Sequence, residues 1–196
     1  MRKTILTIFA ITMLFALVGC QKTEQTEENN SEAKKELVTI SDAEDFAWEL
    51  NNKGGVTITG FADGVEKDTI GKIIVPKTID GVAVNIIGES AFSSCYSVEN
   101  LELPRGIKYI EAYAFRNCSS LKYLVIPEGV TNIGDGAFES CSSMTWIEFP
   151  DSVEWIGNNV FLFCNSMPKV VASEGSWGER YAQLVNFEVI RSRPEE

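Results

Sequence analysis

Four cysteines, Cys95, Cys118, Cys141 and Cys164, follow one another at intervals of 23 residues, and a phenylalanine stands three residues before each: Phe92, Phe115, Phe138 and Phe161. A period this constant marks one unit repeated along an axis, since every unit presents the same side chains at the same place in a stack. It restricts the chain to a series of stacked coils. It also points toward display of a surface and away from a single enclosed catalytic pocket.

Other columns run in phase with the cysteines. Four residues before them stand Ala91, Ala114, Ala137 and Val160, and eight before stand Ile87, Ile110, Ile133 and Ile156. Three after come Val98, Leu121, Met144 and Met167; six after, Leu101, Leu124, Ile147 and Val170; eight after, Leu103, Ile126, Phe149 and Ala172. Pro104, Pro127 and Pro150 follow, then Ile107, Val130 and Val153. No coil of 23 residues buries its own apolar side. Stacked about 4.8 Å apart, such coils pair their backbones as strands do and lay like side chains over one another. Leu124-Val125-Ile126 alternates in, out, in, as a strand does. A proline then ends the strand because it gives no N–H to a ladder. Gly106 and Gly129 supply the turn beyond it, with Ser152 at that place in the next unit.

The unit A-F-R-N-C-S-S-L-K-Y-L-V-I-P-E-G-V-T-N-I-G, Ala114 to Gly134, resembles the repeat of the BspA-like leucine-rich repeat family of bacterial surface proteins. The resemblance covers about Phe46 to Ile190. It implies a mainly β, leucine-rich-repeat-like right-handed solenoid of short strands. It also implies binding or adhesion at a cell surface, with no shared catalytic activity and no cofactor.

Both ends depart from the unit. Phe46, Trp48 and Leu50 alternate, Asn51 to Gly55 turns, and Val56 and Ile58 alternate again, which predicts a β-hairpin cap. The competing pattern is a helix from Asp42 to Leu50 with Ser41 and Glu44 as a capping box; the double glycine between two alternating runs favours the hairpin. Thr78 to Val82 predicts a turn between two short strands. After Cys164, Pro168 interrupts the pattern. Ser176 and Glu179 then have capping-box spacing for a short helix, and Phe187 and Val189 fit a last strand. Such caps cover edges that would otherwise aggregate.

The amino terminus reads as an address. Met1-Arg2-Lys3 is basic, Ile5 to Val18 is an apolar run too short to span a bilayer, and Leu17-Val18-Gly19-Cys20 resembles the bacterial lipobox. That resemblance implies cleavage before Cys20 and diacylglycerol on its sulfur, two or three acyl chains in all, with palmitate expected among them. Gln21 to Glu36 has no aromatic and no aliphatic beyond Ala33, the composition of a disordered tether. The expected organisation is a lipoprotein signal peptide at 1–19, the lipidated cysteine and tether at 20–36, a cap and first partial coil at 37–81, four repeats at 82–172, and a C-terminal cap and tail at 173–196.

Removal of Arg2 and Lys3 leaves 15 basic residues against 28 acidic ones, a net charge of −13. That balance argues against nucleic acid and against anionic lipid headgroups, leaving the lipid on Cys20 as the membrane contact. The chain has no histidine, which removes Ser-His-Asp triads, Cys-His nucleophiles and histidine metal sites together. The repeat cysteines are expected as buried, reduced thiols. Stacking holds equivalent Cβ atoms about 4.8 Å apart and pointing the same way, whereas a disulfide needs a Cβ separation of about 3.8 Å and converging vectors. Four sulfurs in a line do not form a tetrahedral metal site.

If Leu124 and Ile126 face in, their neighbours face out. Asn100, Tyr123, Trp146 and Lys169 form one outward column, and Glu102, Val125, Glu148 and Val171 the next. Tyr123 and Trp146, flanked by Glu102, Val125 and Glu148, are the expected binding face, because tyrosine and tryptophan bury much area at small entropic cost. A second outward column holds Ile86, Tyr109, Asn132 and Trp155, of which Tyr109 and Trp155 are secondary candidates. The competing account is cross-strand aromatic packing that holds the coils together. The expected function is a membrane-anchored, extracytoplasmic lipoprotein, monomeric, whose strand face binds a protein or glycan. The alternative is a structural or accessory subunit of a bacterial cell-envelope assembly. An enzyme would rest on a carboxylate pair such as Glu102 and Glu148, but a flat strand face offers no pocket to raise one pKa. Asp63, Glu66 and Asp68 lack a recognised calcium frame and read as a solvated loop.

Overall fold

The computed structural model describes residues 37–165 and 167–194. The signal segment, Cys20 and the tether lie outside the described residues. The chain enters through Val38–Ile40 (β1), a single 3₁₀ turn at Ala43–Asp45, and a hairpin of Phe46–Leu50 (β2) and Val56–Phe61 (β3). Ile70–Ile74 (β4) follows, and Thr78–Ile79 (β5) folds back on the start of Val82–Ile87 (β6). The repeats then alternate a three-residue and a two-residue strand: Asn100–Glu102 (β7), Tyr109–Ile110 (β8), Tyr123–Val125 (β9), Asn132–Ile133 (β10), Trp146–Glu148 (β11) and Trp155–Ile156 (β12). Lys169–Val171 (β13), a helix at Trp177–Leu184 (α1) and Val189–Ile190 (β14) complete it. This is the mainly β, stacked-coil architecture that the period predicts.

The strands stack coil on coil in two series. One runs β12-β10-β8-β6-β3-β2, parallel except for the closing hairpin; the other forms two parallel ladders, β1-β4-β7 and β9-β11-β13-β14. Register follows the sequence period: Ile110 pairs with Ile133, Ile133 with Ile156, Leu124 with Ile147 and Ile147 with Val170.

A third series of coil-to-coil bonds runs through the A-F-x-x-C turns, and no sequence pattern announced it. Tyr113, Phe115 and Asn117 donate their N–H groups to the Asp135, Ala137 and Glu139 carbonyls of the next coil at 2.8–2.9 Å. The intervening Ala114 and Arg116 donate backwards within the coil, to Glu111 and Tyr113. Alternating the donors in this way requires a left-handed residue at two places per coil. Ser90, Tyr113, Gly136 and Asn159 hold φ of 56–58°, and Ser94, Asn117, Ser140 and Phe163 hold 60–62°. A bulky residue there costs about 1–2 kcal/mol, which the coil-to-coil bonds offset.

The core is a column of rings. Phe92, Phe115, Phe138 and Phe161 stack at centroid spacings of 5.5, 5.5 and 5.8 Å with planes within 19° of parallel. Phe46 and Phe61 pack on Phe92 at one end, and Tyr181 and Phe187 on Phe161 at the other. Both caps therefore prolong the same aromatic column and hide its ends. Met167 breaks its own column. It is 65% exposed while Val98, Leu121 and Met144 are buried, and Pro168 is buried in its stead.

The hairpin forms as expected, and the helix from Asp42 to Leu50 does not. Its only remnant is the 3₁₀ turn, closed by the Asp42 N–H on the Asp45 carboxylate at 3.2 Å and not by Ser41 and Glu44. Strand alternation puts Phe46 on the ring column, a stronger claim than local capping. Asp80 and Gly81 turn β5 into β6 with φ of 51° and 79°, the mirror-image turn that suits hairpin twist. At the other end, Ser176 caps α1 by accepting the Glu179 N–H at 3.2 Å. The Glu179 carboxylate reaches back to the Gly175 N–H at 2.6 Å, not to Ser176, and Arg191, the residue after β14, binds it. The Arg191 guanidinium holds the Glu179 carboxyl below the usual carboxylate range.

All four repeat cysteines are free thiols. Cys118, Cys141 and Cys164 donate to the Phe92, Phe115 and Phe138 carbonyls at 3.3–3.4 Å, each reaching the coil before its own. The contact with Cys95, together with burial, pushes the Cys118 thiol up; burial pushes Cys141 up, and Cys164 to about 11. At pH 8 a thiol reagent is expected to leave Cys118 and Cys141 unlabelled in the folded chain and to label all four repeat cysteines in denaturant. A thiol with a raised folded pKa lends stability below its unfolded pKa of about 8.5 and loses it as pH climbs beyond. Urea midpoints are therefore expected to fall between about pH 8.5 and pH 11; a flat profile, or rapid labelling of the folded chain, would contradict the buried column.

Candidate functional site

The strands β7, β9, β11 and β13 present their outward residues to an open groove of about 930 Å³. The face is not flat, as alternation alone suggests. The turns after Pro127 and Pro150 line it, as do Ser173 and Glu174 beyond β13, and the segment after β14 supplies Arg191 and Arg193. Four of the five residues predicted for the binding face line this groove: Glu102, Tyr123, Val125 and Glu148. The fifth, Trp146, does not.

Trp146 is 7% exposed, contrary to the expectation of an open anchor. The cause lies in the register. Tyr123 and Trp146 pair one strand spacing apart, and their rings stack at 4.9 Å with planes 4° from parallel. Lys169 stands in register on the other side. Cross-strand packing thus claims Trp146, and Tyr123 remains half-buried at the groove surface. Such a stack contributes about 0.5–1.5 kcal/mol beyond area burial.

The two carboxylates predicted for this face, Glu102 and Glu148, are held by cations. Lys72 lies 2.5 Å from Glu102, and Arg193 grips Glu148 with Nε at 2.5 Å and Nη2 at 3.1 Å. The Arg193 contact is bidentate and raises the Arg193 pKa further. A carboxylate fixed in an ion pair is poorly suited to the acid and base roles weighed for Glu102 and Glu148.

The second column fares differently from its prediction. Ile86 is 3% exposed, since Thr57 of the hairpin pairs with it. Tyr109 is half-buried, with the Lys53 Nζ 3.4 Å above its ring centroid. The N-terminal cap therefore covers the start of that column, and Trp155 alone of the two candidates stays open, at 44%. Among the described residues no group of three or more His, Cys, Asp or Glu side chains converges to hold a metal. No described helix is long and apolar enough to cross a membrane.

Sequence reasoning missed one column at this site. Arg105, Glu128, Asp151 and Glu174 each stand ten residues after a cysteine, and all four line the groove. Their spacing was readable. What the spacing did not say is that the turn beyond each strand borders the groove.

Residues 85–177 match the BspA type leucine rich repeat region in six copies. The repeat region is thus similar to the BspA-type leucine-rich repeat family. Solved structures bear out the fold. The chain is similar to a leucine-rich repeat protein of T. pallidum, at 27% identity and a TM-score of 0.53 over 67% of this chain and 70% of that one. A Bacteroides ovatus leucine-rich repeat protein matches at 28% identity and 0.53, over 63% of this chain and 30% of its own length. One from Bacteroides capillosus matches at 25% and 0.52, over 59% and 85%. No curated protein matches the chain.

Proposed function

We propose that this protein is a lipid-anchored, extracytoplasmic binding protein whose repeat solenoid holds a protein or glycan partner in the strand-face groove. The observation that carries the reading is the groove itself. It is lined by most of the residues that outward alternation selects, Tyr123 and Val125 among them. A rigid stack of coils keeps those side chains in place before any partner arrives, so little ordering entropy opposes binding. The reading is of a binder and not an enzyme, since Glu102 and Glu148 are engaged with Lys72 and Arg193. Cys20, in its lipobox-like setting, is the proposed anchor, and a chain lipidated there is held to the membrane by its acyl groups.

The test takes the full chain in detergent against panels of proteins and glycans. Tyr123→Ala and Val125→Asp are each expected to weaken the selected partner at least about tenfold; Val125→Asp keeps a melting temperature close to the parent's, and Tyr123→Ala melts somewhat lower for the lost stack on Trp146. Retained affinity in both variants would reject this face. A Cys20→Ser chain is expected to leave the membrane fraction, and its retention there would remove the anchor from the proposal.

A further inference from the structure

The charges around the groove specify what kind of partner fits it. Glu128 and Asp151 stand on successive post-proline turns, Glu174 stands at the equivalent place after Ser173, and all three are exposed. No ion pair joins any of them to another described residue. Glu102 and Glu148 differ, because each has a cation. Successive turns lie one coil apart, about 4.8 Å. Three unneutralised carboxylates at that spacing repel one another along the groove, and a cation between them relieves the repulsion.

The chain itself shows which chemistry settles in the groove. Arg191-Ser192-Arg193 follows β14, and both arginines line the groove. Arg193 closes on Glu148 in a two-point contact, while Arg191 donates to the Ala172 carbonyl at 2.8 Å and binds Glu179. A short basic stretch of the chain thus already engages one groove carboxylate, Glu148 of β11. The same arrangement continued over β11 and β9 would meet Asp151 and Glu128.

We propose that the groove binds an extended, arginine- or lysine-rich polypeptide segment, with its cations on Glu128, Asp151 and Glu174 and its backbone over Tyr123 and Val125. This rests on the strand face being the contact surface and adds the class of partner. The net charge of −11 over the whole chain draws such a segment in and turns anionic polymers away.

The probe is a short labelled peptide of alternating arginine and serine. Peptides of equal length with glycine or glutamate in place of arginine serve as controls. Binding to the full chain in detergent is read by fluorescence anisotropy. The arginine peptide is expected to bind, the controls are not, and affinity falls as salt shortens the reach of each charge. The triple variant Glu128→Gln, Asp151→Asn, Glu174→Gln is expected to lose about tenfold in affinity with an unchanged melting curve, since all three positions are exposed. Arg193→Ala frees Glu148 and is expected to bind the peptide about threefold more tightly. The proposal is overturned if the arginine peptide fails to bind, if the controls bind equally, if the triple variant binds as well as the parent, or if Arg193→Ala binds no better. A partner from the panels that Tyr123→Ala weakens but the triple variant does not would overturn the charge assignment and leave the groove standing.

Discussion

Phe138→Ala is expected to lower the unfolding free energy of the folded chain by about 3–5 kcal/mol. Phe138 is fully buried and stacked on both faces, 5.5 Å from Phe115 and 5.8 Å from Phe161. Truncation removes the transfer gain of the ring, two stacking contacts of about 0.5–1.5 kcal/mol each, and leaves a void between rigid coils. The neighbours close in poorly, because backbone bonds fix the coil spacing on three sides. In a stack where each unit touches only its neighbours, a weakened middle unit also uncouples the two ends. Urea unfolding of the full chain, followed by circular dichroism, measures the effect. A midpoint unchanged from the parent would mean that the ring column is not the core. Phe161→Ala should cost less, as that ring keeps 6% exposure and borders the last cap.

The second large effect concerns a residue with no side chain. A Cβ added at Gly134 would lie 2.4 Å from the Ala112 nitrogen and 2.6 Å from the Glu111 carbonyl carbon. Those are backbone atoms of the preceding coil and cannot swing aside. Gly134 also donates to the Ile110 carbonyl at 2.7 Å, so the clash sits beside a bond that sets the coil spacing. Gly134→Ala is expected to destabilise by about 3 kcal/mol, the upper end of overpacking costs. Gly157, whose added Cβ meets the Asp135 nitrogen at 2.6 Å, should behave alike. A neutral Gly134→Ala in the same urea assay would show that the coils stand further apart than described.

Much of this was legible in the residues. The period named the architecture, and alternation around Leu124 picked the correct inward column. The outward columns led to Glu102, Tyr123, Val125 and Glu148, all of which line the groove. Trp146 shows where that reasoning stops. Alternation says which side of a strand a residue leaves, but exposure depends on what lies above it. Tyr123 lies above it, so Trp146 is covered. Ile86 repeats the lesson, with the hairpin as its cover. Arg191 and Arg193 reach the groove only because β14 pairs with β13, a contact between segments that no local pattern links.

What the sequence determined by itself is everything governed by repetition: the coil length, the inward side chains, the thiol column and the places where the pattern ends. A repeated unit has one neighbour relation, so reading one coil reads them all. What only the tertiary structure decided arises where unlike segments meet. The left-handed turn ladder, the covering of Trp146 and Ile86, and the basic segment clasped to Glu148 all depend on surfaces brought together through space. Hydrogen bonding and burial act on whatever is adjacent in the fold, and adjacency beyond the repeat is not written in the spacing of residues along the chain.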